Sequence, residues 1–389
     1  MRFAYLLFGL SLLAFRAQAQ TPATPVPDSA RPAQNPVPAA KDPHDKPSFI
    51  PAPVVFYEPE TGLAGGAAIL PVWRLGRDSA TTRKSNARLV GWYSQRKQTS
   101  LQLTHTIFTP GERYLFTGEL SAYDFPIFYY GTGNNTRLAD ESEISYQLFI
   151  VNQRVMRGFG RQMFAGLTYR LTALRNITIE EPLTRESNRP NLLLERPARE
   201  RENTFVSGFG PSFLYDGRDN ILSTFRGSYL EFQTLFNGKG LGSDFTFTRY
   251  QLDARLFRPL LPSSTNTIIG GQLLGQFHSG NVPFRELANL GGISVLRGIY
   301  EGRFRDRQLV VGQVELRQKL FWRLNGAVFA GAGQVADQLG DFGLSDFKLA
   351  GGAGIRFRFN RRDRLNIRFD YGVGSGGSKG LYFGVNEAF

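Results

Sequence analysis

Apolar and polar residues alternate one for one, in segments of ten residues or more, repeatedly from about Val54 to the end of the chain. Across 364–373, Leu365, Ile367, Phe369, Tyr371 and Val373 alternate with Arg364, Asn366, Arg368, Asp370 and Gly372. Across 309–321, Val310, Val314, Leu316 and Leu320 fall on one parity, and Gln313, Glu315, Arg317 and Lys319 on the other. Successive side chains of a strand point to opposite faces, so each segment carries one apolar and one charged face. A soluble sandwich also alternates, but its strands usually run about 5–6 residues. Segments of this length match the roughly 9–11 residues that a tilted strand needs to cross a bilayer. The pattern predicts an all-β fold, a transmembrane antiparallel β-barrel.

The strands are expected at 53–58, 62–75, 86–95, 98–109, 112–123, 143–155, 162–174, 203–215, 227–237, 244–258, 265–278, 308–321, 325–335, 347–359, 363–374 and 380–389, which makes about 16. An even number lets both ends of the chain's barrel lie on one side of the membrane. Short connections at 157–161, 322–324 and 360–362 alternate with long ones at 124–142, 175–202 and 279–307. With Phe389 on the periplasmic side, every one of these long loops falls outside.

The first residues read as an address. Arg2, an apolar run over 3–15 and the small-residue pattern Ala17-Gln18-Ala19 together predict a signal peptide over 1–19. Residues 20–49 are rich in Pro, Ala, Asp and Lys, and are expected to form a disordered periplasmic tether. Deleting 21–46 is expected to leave barrel assembly intact. The barrel then occupies 50–389, in the outer membrane. Composition fits: 43 Gly, 33 Phe and 15 Tyr suit curved strands with aromatic girdles. The absence of Cys excludes disulfides, a lipid-modified Cys and thiolate metal sites. The net charge of +13 is spread through the alternating segments, so it points to a basic lumen or to loops facing anionic headgroups, and not to nucleic acid.

Catalytic signals are poor. Gly376-Gly377-Ser378-Lys379-Gly380 matches a nucleophile-elbow pattern, but in a hairpin loop where the motif needs a strand-to-helix turn. Of three His, only His278, next to Ser279, is a candidate partner for a nucleophile. No enzyme, no cofactor and no metal are expected.

The long loop reads Gly291-Gly292-Ile-Ser-Val-Leu-Arg297-Gly298-Ile299-Tyr300-Glu-Gly-Arg303. It resembles the sixth-loop motif of the BamA/TamA superfamily of bacterial surface antigen barrels. The resemblance implies that the loop folds back into the lumen and that Arg297 pairs with acidic residues on the next inward faces. Glu315 matches the first acidic position. Where the family commonly carries a second acid, this chain has Gly331, which leaves Glu315 alone or a substitute such as Asp370. The family's aromatic is displaced by one, with Ile299 after Gly298 and Tyr300 following. The expected clamp is Arg297, Gly298, Tyr300 and Glu315, and exchanging the charges of Arg297 and Glu315 is expected to restore it. Without the clamp, Arg297 would be a solvated loop residue.

Asp216, Arg218, Asp219 and Gly227 are similar to the family's central periplasmic turn, with Ser223 where a Pro is usual. A plain polar turn whose Asp side chains cap backbone N–H groups explains them equally well. The run Phe-Tyr-Glu-Pro-Glu-Thr-Gly at 56–62 is common at the start of such barrels. At the other end, Leu381, Phe383, Val385 and Phe389 share one face, and the terminal Phe resembles the signal read by barrel-assembly machinery. Glu387 interrupts that stripe and is expected at headgroup level.

The family normally carries periplasmic POTRA domains before the barrel, and with only the 20–49 tether in their place the chain is expected to be a member without them; the resemblance implies that it inserts or translocates substrates in outer-membrane protein or lipid assembly or secretion. The route would be a seam between first and last strands, weak because the first, at 53–58, is short. Its partners would be outer-membrane lipids, the barrel-assembly machinery and an unfolded outer-membrane client or passenger protein. The alternatives are an anion-favouring solute channel walled by Arg317, Arg356, Arg358, Arg364 and Arg368, or a plugged structural barrel.

Overall fold

The computed structural model describes residues 47–389 apart from 59–60, 77–81, 180–188, 361–363 and 386. The expected signal peptide and all but the last three residues of the expected tether lie outside the described residues. Sixteen strands form one antiparallel sheet in strict chain order. They are β1 (Ser48–Glu58), β2 (Gly62–Trp73), β3 (Ser85–Ser94), β4 (Thr99–Phe108), β5 (Tyr114–Tyr129), β6 (Ser142–Gly158), β7 (Met163–Ile179) and β8 (Thr204–Asp216). The second half comprises β9 (Gly227–Asn237), β10 (Phe247–Leu261), β11 (Ser264–Gly280), β14 (Gln308–Phe321), β15 (Leu324–Ala336), β16 (Lys348–Asn360), β17 (Leu365–Gly374) and β18 (Lys379–Val385). Between β11 and β14 the long loop carries its own small hairpin, β12 (Ala288–Leu290) with β13 (Phe304–Asp306).

Several strand ends differ from the sequence expectation, among them β7, which runs on to Ile179 instead of 174. β1 begins at Ser48 and has 11 residues, so the first strand is not short. Pro51 and Pro53 read as breakers, but an edge strand tolerates them because the missing N–H groups can face away from its one partner. β5 runs on to Tyr129, because Phe125, Ile127 and Tyr129 continue the inward alternation past Asp124 and Pro126 while pairing with β6. β18 stops at Val385, so the last strand is the short one, with 7 residues.

The two faces divide as the alternation requires. Leu63, Leu101, Leu167, Leu256, Val314 and Val328 point outward and are exposed, whereas Gln313, Glu315 and Arg317 point inward and are buried. Among the described residues no helix is long and apolar enough to cross a membrane. The core is inside the barrel. Leu290, Leu296, Ile299 and Phe304 of the long loop pack on Leu309 and Val311 of β14 and Val335 of β15. Phe284 joins a second cluster with Tyr129, Tyr146 and Leu174 on β5, β6 and β7.

Candidate functional site

Two positive φ values, 80° at Leu296 and 109° at Gly298, turn the loop sharply around Arg297. That turn aims its guanidinium at the wall. Nη1 donates to Asp370 Oδ2 at 2.6 Å, and Nη2 donates to Glu315 Oε2. The guanidinium carbon lies 3.7 Å from the Phe329 ring centroid, so the flat cation is sandwiched between carboxylates and an aromatic face. Arg297 is 1% exposed, and both carboxylates are fully buried. Gly298 N–H donates to the Tyr382 hydroxyl at 3.0 Å. A Cβ at Gly298 would lie 2.6 Å from the Val373 carbonyl oxygen, so only glycine allows this approach.

The carboxylates are shared. Arg317 Nε donates to Glu315 Oε1 at 2.7 Å, Arg356 Nη2 to Glu315 Oε2 at 3.2 Å, and Arg356 Nη1 to Asp370. Arg368 Nη1 lies 3.5 Å from Asp370 Oδ2. Glu387 adds the third acid, with its Oε2 at 3.2 Å from Arg356 Nε and 3.6 Å from Arg317 Nε. Four arginines therefore meet three carboxylates on β14, β16, β17, the loop and the residues after β18.

Tyr300 stands apart from this network. Its ring packs on Phe128 and Tyr130 at centroid distances of 5.9 and 5.8 Å, while Ile299 fills the fully buried position beside Gly298. A branched aliphatic chain fits there because Gly374 faces it, where an added Cβ would lie 2.6 Å from Ile299 Cγ1. Gly331 is occupied in the same sense: a Cβ there would meet Leu296 Cδ1 at 2.7 Å. Leucine fills the space that a second acid would need, and Asp370 supplies the charge from β17.

The turn after β8, residues 217–226, lies at the opposite end of the barrel. Asp216 accepts from Arg218 Nε at 2.8 Å, and Asp219 Oδ1 caps the N–H of Phe225 at 2.9 Å. Gly227, with φ 119°, allows the Gly217 carbonyl to pass within 2.2 Å of where a Cβ would be. These contacts make a polar turn. Others cross the barrel: Arg364 Nη1 donates to Asp219 Oδ2 at 2.6 Å, Asn366 Nδ2 to Ser223 Oγ at 3.4 Å, and Arg317 Nη1 to the Thr224 carbonyl at 3.3 Å.

The chain's last residues correct two expectations. Glu387 is not at headgroup level but buried in the lumen, where Asn366 Nδ2 also donates to it at 2.5 Å. Phe389 leaves the outward face of Leu381, because its ring packs inside on Phe257 at 6.1 Å and its carbonyl accepts from Arg317 Nη2 at 3.2 Å. Phe383 stays on β18 and lines the gap beside β1; Val385 is the last strand residue.

The cationic wall expected for an anion channel is also engaged. Arg317, Arg356 and Arg368 belong to the carboxylate network, Arg364 pairs with Asp219, and Arg358 Nε donates to Asn366 at 3.3 Å. His278 and Ser279 point to opposite faces of β11, and His278 Nδ1 contacts the Arg307 carbonyl at 2.6 Å, so no nucleophile pair forms. Among the described residues no group of acids and histidines could hold a metal.

Residues 85–389 match the Omp85 superfamily domain. The chain belongs to the Omp85 superfamily. Omp85 barrels are outer-membrane proteins of transport and assembly, and not enzymes as a class. Two solved members of similar fold are BamA from Haemophilus ducreyi lacking POTRA domains 1–3 and CdiB from Acinetobacter baumannii. The first is 13% identical with a TM-score of 0.55, covering 88% of this chain and 70% of that one. The second is 11% identical with a TM-score of 0.53, covering 87% of this chain and 59% of that one. A comparison with curated proteins finds no match. Of the residues just described, Arg317, Arg356, Glu387 and Tyr382 join the Arg297 network although the motif reading did not assign them to it. For Arg317, Arg356 and Tyr382 the sequence signal is inward parity on their strands, whereas Glu387 has the outward parity of Leu381 and signals only by its charge.

Proposed function

We propose that this Omp85 barrel engages an extended outer-membrane polypeptide at the seam between β1 and β18, in insertion or secretion, with the Arg297 network holding the seam at rest. One observation carries the reading: β1 and β18 lie side by side, yet among the described residues no ladder joins them and the sheet ends at each. An unpaired edge is a template for another strand. β1 exceeds β18 by 11 − 7 = 4 residues, and Pro51 and Pro53 remove two donors from its edge. The loop tip docks next to this gap, since Arg297 binds Asp370 on β17 and Gly298 binds Tyr382 on β18. Release of the tip would free the short strand.

A photo-reactive residue at Val55, on β1, tests this in producing cells. It is expected to capture outer-membrane polypeptides, whereas the same probe at Leu167, outward on β7 far from the seam, captures few. Equal capture at both positions, or none at Val55, contradicts the proposal. The barrel-assembly machinery that folds this chain would be captured from both and is identified by that.

A further inference from the structure

The part of the lumen that the long loop leaves open is a cavity of about 2280 Å³, bordered by β1 to β6, the inner face of the loop, the turns at 158–162 and 218–222, and β17 and β18. That exceeds the roughly 300–1,000 Å³ of ordinary small-molecule pockets. Its wall is amphipathic. Phe56, Trp92 and Phe125 point inward from β1, β3 and β5 as a continuous aromatic strip, with centroid separations of 5.1 and 5.6 Å. Val54, Val90 and Ile150 flank it. A water-filled lumen gives no reason for such a strip on the inner face, because it leaves large apolar surface hydrated.

Toward the long-loop end the same cavity receives Tyr146, Arg285 and Arg305. Tyr146 is 1% exposed and Arg305 2%. Tyr146 Oη, Arg305 Nη1 and Arg285 Nε have no hydrogen-bond partner. The groups are close together: the Arg285 guanidinium carbon is 5.5 Å from the Tyr146 ring centroid, and that of Arg305 is 5.1 Å from Tyr129, which packs in one cluster with Tyr146. Burial pushes the Arg305 guanidinium below its ordinary pKa, and Arg285 adds like-charge repulsion. Glu301 is the acid lining this part of the cavity, against two cations. Buried donors of one sign, aimed into a cavity, are stabilised by an anionic acceptor.

We propose that this cavity binds an anionic membrane lipid, its headgroup held by Arg285, Arg305 and Tyr146 and its acyl chains laid along Phe56, Trp92 and Phe125. A free anion would leave the aromatic strip in water, and a neutral lipid would leave the two cations in excess over Glu301. Access exists without unpairing any ladder. The lining continues to Val55 and Phe383 on the bilayer side of β1 and β18, so the cavity opens to the membrane through the seam.

The protein's three Trp residues are Trp73, Trp92 and Trp322, so Trp73→Phe with Trp322→Phe leaves Trp92 as a single reporter inside the cavity. In neutral detergent, phosphatidylglycerol with brominated chains is expected to quench Trp92 saturably, at lower mole fraction than brominated phosphatidylcholine. Arg285→Gln with Arg305→Gln is expected to weaken the anionic lipid about tenfold and to leave the neutral one unchanged. Arg285→Gln alone is expected to give part of that loss should the double variant not fold. Equal quenching by the two lipids, no quenching, or no effect of either substitution overturns the proposal. Displacement of the lipid by inorganic phosphate at equal concentration would assign the site to free anions and overturn it too.

Discussion

Arg297 brings one guanidinium to carboxylates on β14 and β17, two strands that do not pair with each other. Removing one partner of a buried ion pair costs about 3–5 kcal/mol, because the stranded charge stays desolvated. Arg297→Glu is therefore expected to free the loop, seen as faster protease cleavage near Tyr300. A simple pair would be restored by adding Glu315→Arg. Here the new arginine would face Arg317 and Arg356, which now hold Glu315, so the double variant is expected to remain as cleavable as the single one. Recovery of protection in the double variant would show that the network acts as an isolated pair. Gly331→Asp, which places an acid where the loop-motif resemblance implies a second one, is expected to loosen the tip as well, since its Cβ would collide with Leu296. Arg297 and Glu315 were legible because a loop motif and strict alternation point at both. Asp370 was legible only as a charge of the right parity. Which inward charges meet across a lumen depends on strand stagger and loop path, and Arg356, 41 positions from Glu315, carries no local sign of its partner.

Strand alternation placed all sixteen elements, and the errors fell at ends where something other than lipid receives the strand. Phe389 has the parity of Leu381, so a period-two reading keeps it on the outward face. The charged Glu387 at the same parity was the sign that the stripe had ended, because its lumen partners Arg317 and Arg356 draw the chain inward. The loop tip shows the opposite case, in which backbone conformation decides. Gly298→Ala is expected to unseat the tip from β17 and β18, through a strained φ of 109° and a contact of 2.6 Å with the Val373 carbonyl. Such strain costs about 1–3 kcal/mol. The measurement is the temperature at which the unheated, fast-migrating gel band converts to the slow one. A conversion temperature equal to that of the parent would mean that the tip does not brace the seam.

As a whole the molecule is a barrel with the long loop packed inside one end and residues 217–226 hydrogen-bonded across the other. Its ladders satisfy backbone groups internally, so the purified protein is expected to migrate faster unheated than boiled. In planar bilayers it is expected to be mostly closed. Replacing 218–225 by a two-residue Asn-Gly turn is expected to produce a steady open conductance, and a conductance unchanged by that replacement would mean that the turn does not occlude the pore. The same turn also imposes a sequence of events in time. Asp219 and Ser223 are made well before their partners Arg364 and Asn366, which lie 145 and 143 positions later. Closing so long a chain segment is entropically slow, so the mouth is sealed only after the final hairpin has arrived. Until then a nascent barrel is open at its short-turn end, and pulse-labelled intermediates should admit a soluble reagent to the lumen that the finished protein excludes.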